Sequence, residues 1–230
     1  MSLIGKKLLI IGGSSGIGRA TAAEAVAAGA QVIIAGRSQD HLTEAQEAIG
    51  DQVETCVLDV RDSRELDFWF EQMKGFDDLV VTAAEDYKAA FIESDFDEAK
   101  KAFETKFWGQ YLAAQRCVPF IGERGSITLF SGVAGKRVIK GQAVLGAANC
   151  AVEALVKSLA VELSPLRINA VAPGEMRIED DDEQNRLLSE SLPVRRAGDY
   201  RDMASAVLFL IENQFTTGTV LRVDGGATAL

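Results

Sequence analysis

Four glycines and two serines follow the first apolar run of the chain, in a pattern that could hold a phosphate. The run Leu8–Ile11 is typical of a strand and the alanine-rich segment 20–28 of a helix, and the glycines between them are spaced G-x-x-x-G-x-G. Glycine permits a positive φ and lets a ligand approach the main chain, while a helix start offers unpaired N–H groups and a positive dipole end. The turn is therefore predicted to bind a pyrophosphate, through Gly12, Ser14, Ser15, Gly16, Ile17 and Gly18.

Arg37 and Ser38 follow the second predicted strand, Gln31–Ala35. In a doubly wound sheet this strand end faces the adenosine ribose of a dinucleotide, where an acidic residue accepts a hydrogen bond from a 2′-OH and an arginine pairs with a 2′-phosphate. Because the acidic residue is absent from the tip Gly36-Arg37-Ser38, the sequence favours NADP, with NAD the lesser possibility. An arginine in a solvated loop is the alternative interpretation. Asp59-Val60, after the third strand, lies at the same edge of the sheet.

Strands and helices alternate along the rest of the chain. The predicted strands are Leu8–Ile11, Gln31–Ala35, Val53–Leu58, Asp78–Thr82, Ser126–Phe130, Arg167–Ala172 and Thr219–Val223. The predicted helices are 20–28, Asp40–Ile49, Asp62–Met73, Asp95–Cys117, Gly141–Leu163 and Asp199–Asn213, and the acidic run Glu179–Glu183 is predicted to be a solvated loop. Connections of this length allow crossovers, so the fold class is α/β: one Rossmann-like domain over residues 1–230, a doubly wound parallel sheet of about seven strands with helices on both faces.

Composition excludes several classes of partner. A formal net charge of −10 disfavours nucleic acid and anionic membranes, and no membrane-spanning stretch is expected. Three widely spaced cysteines without a C-x-x-C pair agree with a reducing compartment, and a single histidine cannot anchor a histidine metal site. The first apolar run is too short for a signal peptide, so we expect a cytoplasmic protein. Because there is only one histidine, we also expect no metal site.

With these landmarks in order, the chain resembles the short-chain dehydrogenase/reductase family over nearly its whole length. Residues 12–18 resemble its cofactor loop, Asp59-Val60 its adenine contact, Pro173-Gly174 the turn beside the nicotinamide, and residues 223–226 its C-terminal signature. Ala83-Ala84 ends a segment, 81–84, that replaces the family's usual Asn-Asn-Ala-Gly. The resemblance implies a seven-stranded sheet, a nicotinamide cofactor, a small-molecule substrate and a homo-oligomer, either a dimer or a tetramer.

The resemblance breaks at the residues that usually carry the family's chemistry, an Asn, a Ser and a Tyr-x-x-x-Lys pair. Alignment places Lys106, Gly132, Leu145 and Asn149 at these positions, with Ser131 one residue before the glycine. Reduction of a carbonyl leaves an alkoxide that must be protonated, and leucine and glycine donate no proton. The Asn and Lys positions are exchanged, so Lys106 is predicted to contact the nicotinamide ribose or the reacting oxygen. Asn149 would orient Lys106, and the Ser131 hydroxyl would donate a hydrogen bond from one residue before the usual serine position. The alternative is an exposed helical lysine.

Two functions remain open at this point. The first is an NADP-binding oxidoreductase with an altered proton-delivery system. The second is a non-catalytic cofactor-binding protein that serves sensing or assembly on the same fold. A fold that has lost cofactor binding is less favoured, because the glycines of the turn are present.

Overall fold

Seven strands form one parallel sheet in the order β3-β2-β1-β4-β5-β6-β7 in the computed structural model, which describes residues 2–178 and 181–230. The strands are β1 Lys7–Ile11, β2 Gln31–Gly36, β3 Glu54–Val57, β4 Phe76–Val81, β5 Ile121–Phe130, β6 Arg167–Pro173 and β7 Val220–Val223. Strand β1 pairs with β2 on one side and with β4 on the other, so the winding direction reverses there. The carboxyl ends of the strands at such a point form a crevice. The predicted doubly wound sheet is confirmed.

Helices cover both faces of the sheet. They are α1 Gly16–Ala27, α2 Gln39–Ile49, α3 Ser63–Met73, α4 Phe96–Phe103, α5 Gln110–Cys117, α6 Ala143–Glu162, α7 Asp182–Ser191 and α8 Tyr200–Glu212. Side chains alternate along β1, so Leu8 and Ile10 join a core with α1, α2 and α8, while Leu9 and Ile11 join a second core with α3, α5 and α6. The two cores fix the strand ends from both sides.

A π-helical segment, Glu104–Gly109, interrupts the long helix predicted over residues 95–117. The buried side chain of Gln110 donates to the carbonyl oxygens of Lys106 (2.6 Å) and Phe130 (2.9 Å) and accepts from the N–H of Phe130 (2.7 Å). These bonds satisfy a carbonyl within the irregular turn and tie the turn to the end of β5. Gln110 thereby fixes where Lys106 lies relative to the sheet.

The prediction of a solvated loop for the acidic run 179–183 is wrong for residues 181–183, which form the start of a helix. Glu179 and Asp180 lie outside the described residues. Asp181 accepts from the N–H of Gln184, and Asp182 and Glu183 begin α7. Carboxylates in this position satisfy free N–H groups and interact favourably with the helix dipole. Arg186 then pairs with Glu183 at 2.8 Å, one helical turn further on.

Helix α6 is long and apolar enough, by length and composition alone, to cross a membrane. The expectation that no stretch approaches this length is therefore wrong. In this fold the apolar side chains of α6 contribute to the core, because Val152 and Val156 are fully buried under β5 and β6. Strand β5 also begins at Ile121, earlier than the predicted Ser126.

Candidate active site

The turn between β1 and α1 depends on close contact between backbone segments. Gly12 has a φ of +89°, and a Cβ on Gly18 would overlap the carbonyl oxygen of Gly12. The hydroxyl of Thr82, after β4, donates to the carbonyl oxygens of Ile11 (3.2 Å) and Gly12 (3.1 Å). These contacts bring the turn, the start of α1 and the end of β4 together, and they leave the first N–H groups of α1 facing the crevice.

A cavity of about 310 Å³ lies at this crevice. It is lined by eleven of the predicted cofactor-binding residues: Gly12, Ser14, Ser15, Gly16, Ile17, Gly18, Arg37, Asp59, Val60, Ala83 and Ala84. Residues that the sequence did not indicate also line it: Ile11, Gly36, Leu58, Thr82, Thr105 and Tyr200. The turn, the β2 tip and the β3 tip therefore share one cavity, whose volume is typical of a site for a small ligand.

Tyr200 and Thr105 bring polar groups to this cavity from distant parts of the chain. Ring atoms Cε1 and Cζ of Tyr200, at the start of α8, lie 3.6 and 3.8 Å from the position a Cβ on Gly16 would take. Thr105 is buried, and its hydroxyl has no hydrogen-bond partner among the described residues. A buried hydroxyl without a partner is costly, so Thr105 is suited to a polar ligand group. Helix packing alone brings these two residues here, which is why no local sequence signal identified them.

Three predicted cofactor-binding residues are not among those that line the cavity. The hydroxyl of Ser38 accepts from the N–H of His41 (3.3 Å) and caps α2. Pro173 ends β6, and the N–H of Gly174 donates to the carbonyl oxygen of Val223 (2.9 Å). Ser38 therefore has a structural role as a cap, and the Pro173-Gly174 turn is hydrogen-bonded to the end of β7.

Lys106 is buried with 8% of its surface exposed, so the alternative of an exposed helical lysine is wrong. Its Nζ donates to the carbonyl oxygen of Ser131 at 3.1 Å. Burial lowers the pKa of Lys106 from 10.5 to about 8, and the negative charge of Asp86 opposes that shift. A lysine with this pKa can hold or release a proton near neutral pH.

Ser131 and Asn149 lie against the same stretch of backbone as Lys106. The Oγ of Ser131 and the Oδ1 of Asn149 are buried without a hydrogen-bond partner among the described residues. A Cβ on Gly132 would lie 2.9 Å from the Nδ2 of Asn149, so the amide fills the space beside this glycine. The structure thus brings the three predicted catalytic residues together after β5. None of them is among the residues that line the 310 Å³ cavity, whereas Thr105, adjacent to Lys106 in sequence, is.

No group of three or more His, Cys, Asp or Glu side chains that could hold a metal ion occurs in residues 2–178 and 181–230.

The fold and the glycine turn define an α/β protein of the dinucleotide-binding class. Comparisons with known proteins narrow this class to one family. Residues 12–228 match the family model described as enoyl-(acyl carrier protein) reductase. A glucose 1-dehydrogenase of Gluconobacter oxydans is 31% identical, over 97% of this chain and 92% of its own. A 3-oxoacyl-[acyl-carrier-protein] reductase of Bos taurus is 29% identical, over 96% of this chain and 97% of its own.

Two solved structures agree with these relatives. A short-chain dehydrogenase/reductase family protein superposes with a TM-score of 0.89 at 32% identity and covers 100% of both chains. A small-chain dehydrogenase in complex with NADPH gives a TM-score of 0.80 at 33% identity, over 98% of this chain and 99% of its own. The chain belongs to the short-chain dehydrogenase/reductase family, as the resemblance implied.

The buried charge of Lys106 predicts a pH-dependent stability. The folded pKa, about 8, is below the ordinary value of 10.5, so the folded state binds fewer protons between these values and burial of the ammonium costs stability below pH 8. Lys106→Met removes that cost, which is on the order of 3 kcal/mol. We expect its unfolding free energy, relative to the unsubstituted protein, to be highest at pH 7 and to fall as pH rises from 8 to 10.5.

Urea denaturation at a series of pH values measures this difference, with Lys101→Met on α4 as the control because Lys101 is half exposed. The control difference should stay constant with pH. A Lys106→Met difference that also stays constant would contradict the buried charge.

The contact between Gly132 and Asn149 predicts an energetic coupling. Gly132 has an extended backbone that any residue adopts, with φ 175°, so Gly132→Ala should destabilise only through the clash of its Cβ with the Asn149 amide. We expect a loss of about 1–3 kcal/mol of unfolding free energy, mostly abolished in an Asn149→Ala background. Thermal denaturation of the two single variants and the double variant measures the coupling. Equal losses in both backgrounds would show that the amide does not fill this space.

Proposed function

We propose that this protein is an NADP(H)-dependent oxidoreductase that acts on a small organic substrate, with an active site that lacks the family's usual tyrosine. The carrying observation is the single cavity that joins a glycine turn to Arg37 at the reversal point of the sheet. This combination suits a dinucleotide with a pyrophosphate in its middle and a 2′-phosphate at one end. The solved relative in complex with NADPH supports the same cofactor class.

The residues of the cavity fit the phosphate-bearing part of such a cofactor. The N–H groups at the start of α1 would hold the pyrophosphate, helped by Ser14, Ser15 and the hydroxyl of Tyr200. The free hydroxyl of Thr105 would find a partner, and Arg37 would bind the 2′-phosphate. When bound, the nicotinamide supplies or accepts a hydride.

Lys106 is the residue that we assign to proton delivery. At neutral pH its Nζ carries a proton, and the lowered pKa makes release to a developing alkoxide easier. The unpartnered Oγ of Ser131 and Oδ1 of Asn149 lie against the same backbone and would orient the lysine or the substrate oxygen. Leu145, at the position predicted for the usual tyrosine, offers no acidic proton.

A second candidate is a non-catalytic protein that binds the cofactor for sensing or assembly. The observation that favours it is the separation of Lys106, Ser131 and Asn149 from the residues that line the cavity. Under this hypothesis Asn149 packs beside Gly132 and Lys106 anchors the end of β5, without contact to a substrate.

A homo-oligomeric, cytoplasmic protein completes the proposal. Large apolar side chains such as Phe215 and Val161 are strongly exposed in the single chain, and covering them would favour association between copies.

Arg37 gives the first test of the cofactor. Because hydrogen bonds to charged groups contribute more than neutral ones, Arg37→Ala should weaken NADPH binding by roughly tenfold or more and leave NADH binding nearly unchanged. Fluorescence titration with each nucleotide measures both affinities. Arg64→Ala, which removes an exposed arginine outside the cavity, is the matched control. An equal loss for NADPH and NADH would contradict the 2′-phosphate contact.

Turnover separates the two candidate functions. NADPH consumption is followed over a panel of aldehydes, ketones, 3-keto esters and enones, and Lys106→Met should lower kcat by about 10²–10⁴ while NADPH affinity is retained. The rate of reduction should also fall as pH rises above 8, because Lys106 loses its proton there. Tight NADPH binding without turnover over the panel supports the non-catalytic candidate, and absence of NADPH binding contradicts both.

A further inference from the structure

Glu85 follows the small residues at the end of β4 and makes an ion pair with Arg37 at the tip of β2. The distance from the Arg37 Nη1 to the Glu85 Oε1 is 2.7 Å. Strand β1 lies between β2 and β4 in the sheet, so this ion pair crosses the carboxyl end of β1, where the glycine turn begins. The arginine that the proposed function assigns to the cofactor is therefore already bound to a carboxylate of the chain.

Other cations converge on the same carboxylate. The Nη1 of Arg61 lies 3.7 Å from the Glu85 Oε1, and the Nζ of Lys101 lies 4.0 Å from its Oε2. Arg61 is itself held in place by Asp59, with its Nη2 2.7 Å from the Asp59 Oδ2. These bonds hold the pKa of Asp59 below its usual range, so this partner of Arg61 stays ionised.

The geometry is that of an anion subsite filled by the chain's own carboxylate. Arg37 and Asp59 line the cavity, so the cluster of cations around Glu85 lies at the cavity wall. Asp86, the next residue, acts on Lys106 and is no substitute for Glu85. Arginine pairs with both carboxylate and phosphate oxygens, and a phosphate carries the larger charge, about −1.5 to −2.

On the basis of the proposed function, we infer that Glu85 is an internal competitor of the cofactor's 2′-phosphate and that Arg61 is the second cation of that subsite. A 2′-phosphate on Arg37 either replaces the Glu85 carboxylate or binds beside it to the other guanidinium donors, and it is repelled by that carboxylate while the carboxylate remains near. Glu85 therefore lowers the affinity for a 2′-phosphorylated nucleotide and has little effect on one with a free 2′-OH. The residue sets how strongly the protein discriminates between the two cofactors.

Titration calorimetry with adenosine 2′,5′-bisphosphate and with adenosine 5′-monophosphate isolates the 2′-phosphate. Glu85→Gln keeps the size of the side chain and removes its charge, so it should bind the bisphosphate roughly three- to tenfold more tightly and the monophosphate with unchanged affinity. Glu98→Gln, which removes an exposed charge paired with Lys101, is the matched control and should leave both affinities unchanged. In an Arg37→Ala background, where Arg61 is the cation that remains beside Glu85, Glu85→Gln should give a smaller gain in bisphosphate affinity than in the unsubstituted protein.

Unchanged or weaker bisphosphate binding by Glu85→Gln would overturn the inference. An equal gain for the monophosphate would overturn it too, since the gain would then come from the general charge of the site or from easier access to it. If the unsubstituted protein binds NADPH and Glu85→Gln makes no difference, the inference fails and the proposed function stands. If neither protein binds NADPH or the bisphosphate, both fail.

Discussion

The close contact between the β1–α1 turn, the start of α1 and the end of β4 is the constraint on which the candidate site depends. Gly18 lies against the carbonyl of Gly12, and the Thr82 hydroxyl bonds the same carbonyl from the other strand. Any side chain at either glycine would separate these segments and turn the first N–H groups of α1 away from the crevice. The cavity exists because three backbone segments can approach this closely.

This constraint acts on the backbone, so it leaves the side chains around the crevice free to differ. Gln110 shows how the second half of the site is positioned by similar means, since it bonds main-chain atoms of Lys106 and Phe130 with its buried amide. The charge of Lys106 is then held where desolvation is expensive. A fold under selection for stability alone would favour an apolar residue there, and a buried cation of this kind is more typical of a functional site.

The alternating strands and helices, the glycine turn and the site at the sheet edge were predictable because each has a local signal: a strand period, a glycine spacing, or a carboxylate at a strand end. The π-helical segment was not, because the bond that ties it to the sheet joins Gln110 to Phe130, 20 residues away. Tyr200 was missed for the same reason, since only tertiary packing brings it to the cavity. The pairing of Glu85 with Arg37 was missed because it joins residues 48 positions apart. The acidic run was misread because carboxylates at a helix start resemble those of a solvated loop until the cap of Asp181 is seen.

The two halves of the site differ in how far their chemistry follows from their geometry. At the proposed adenosine half, backbone N–H groups and Arg37 suit a phosphate-bearing ligand, because phosphate recognition needs fixed donors and little else. At the lysine half, Lys106, Ser131 and Asn149 share one stretch of backbone but not the wall of the cavity. Proton transfer requires hydrogen-bond distance between donor and acceptor. The proposed oxidoreductase therefore requires its substrate to reach Lys106 beyond the residues that line this cavity.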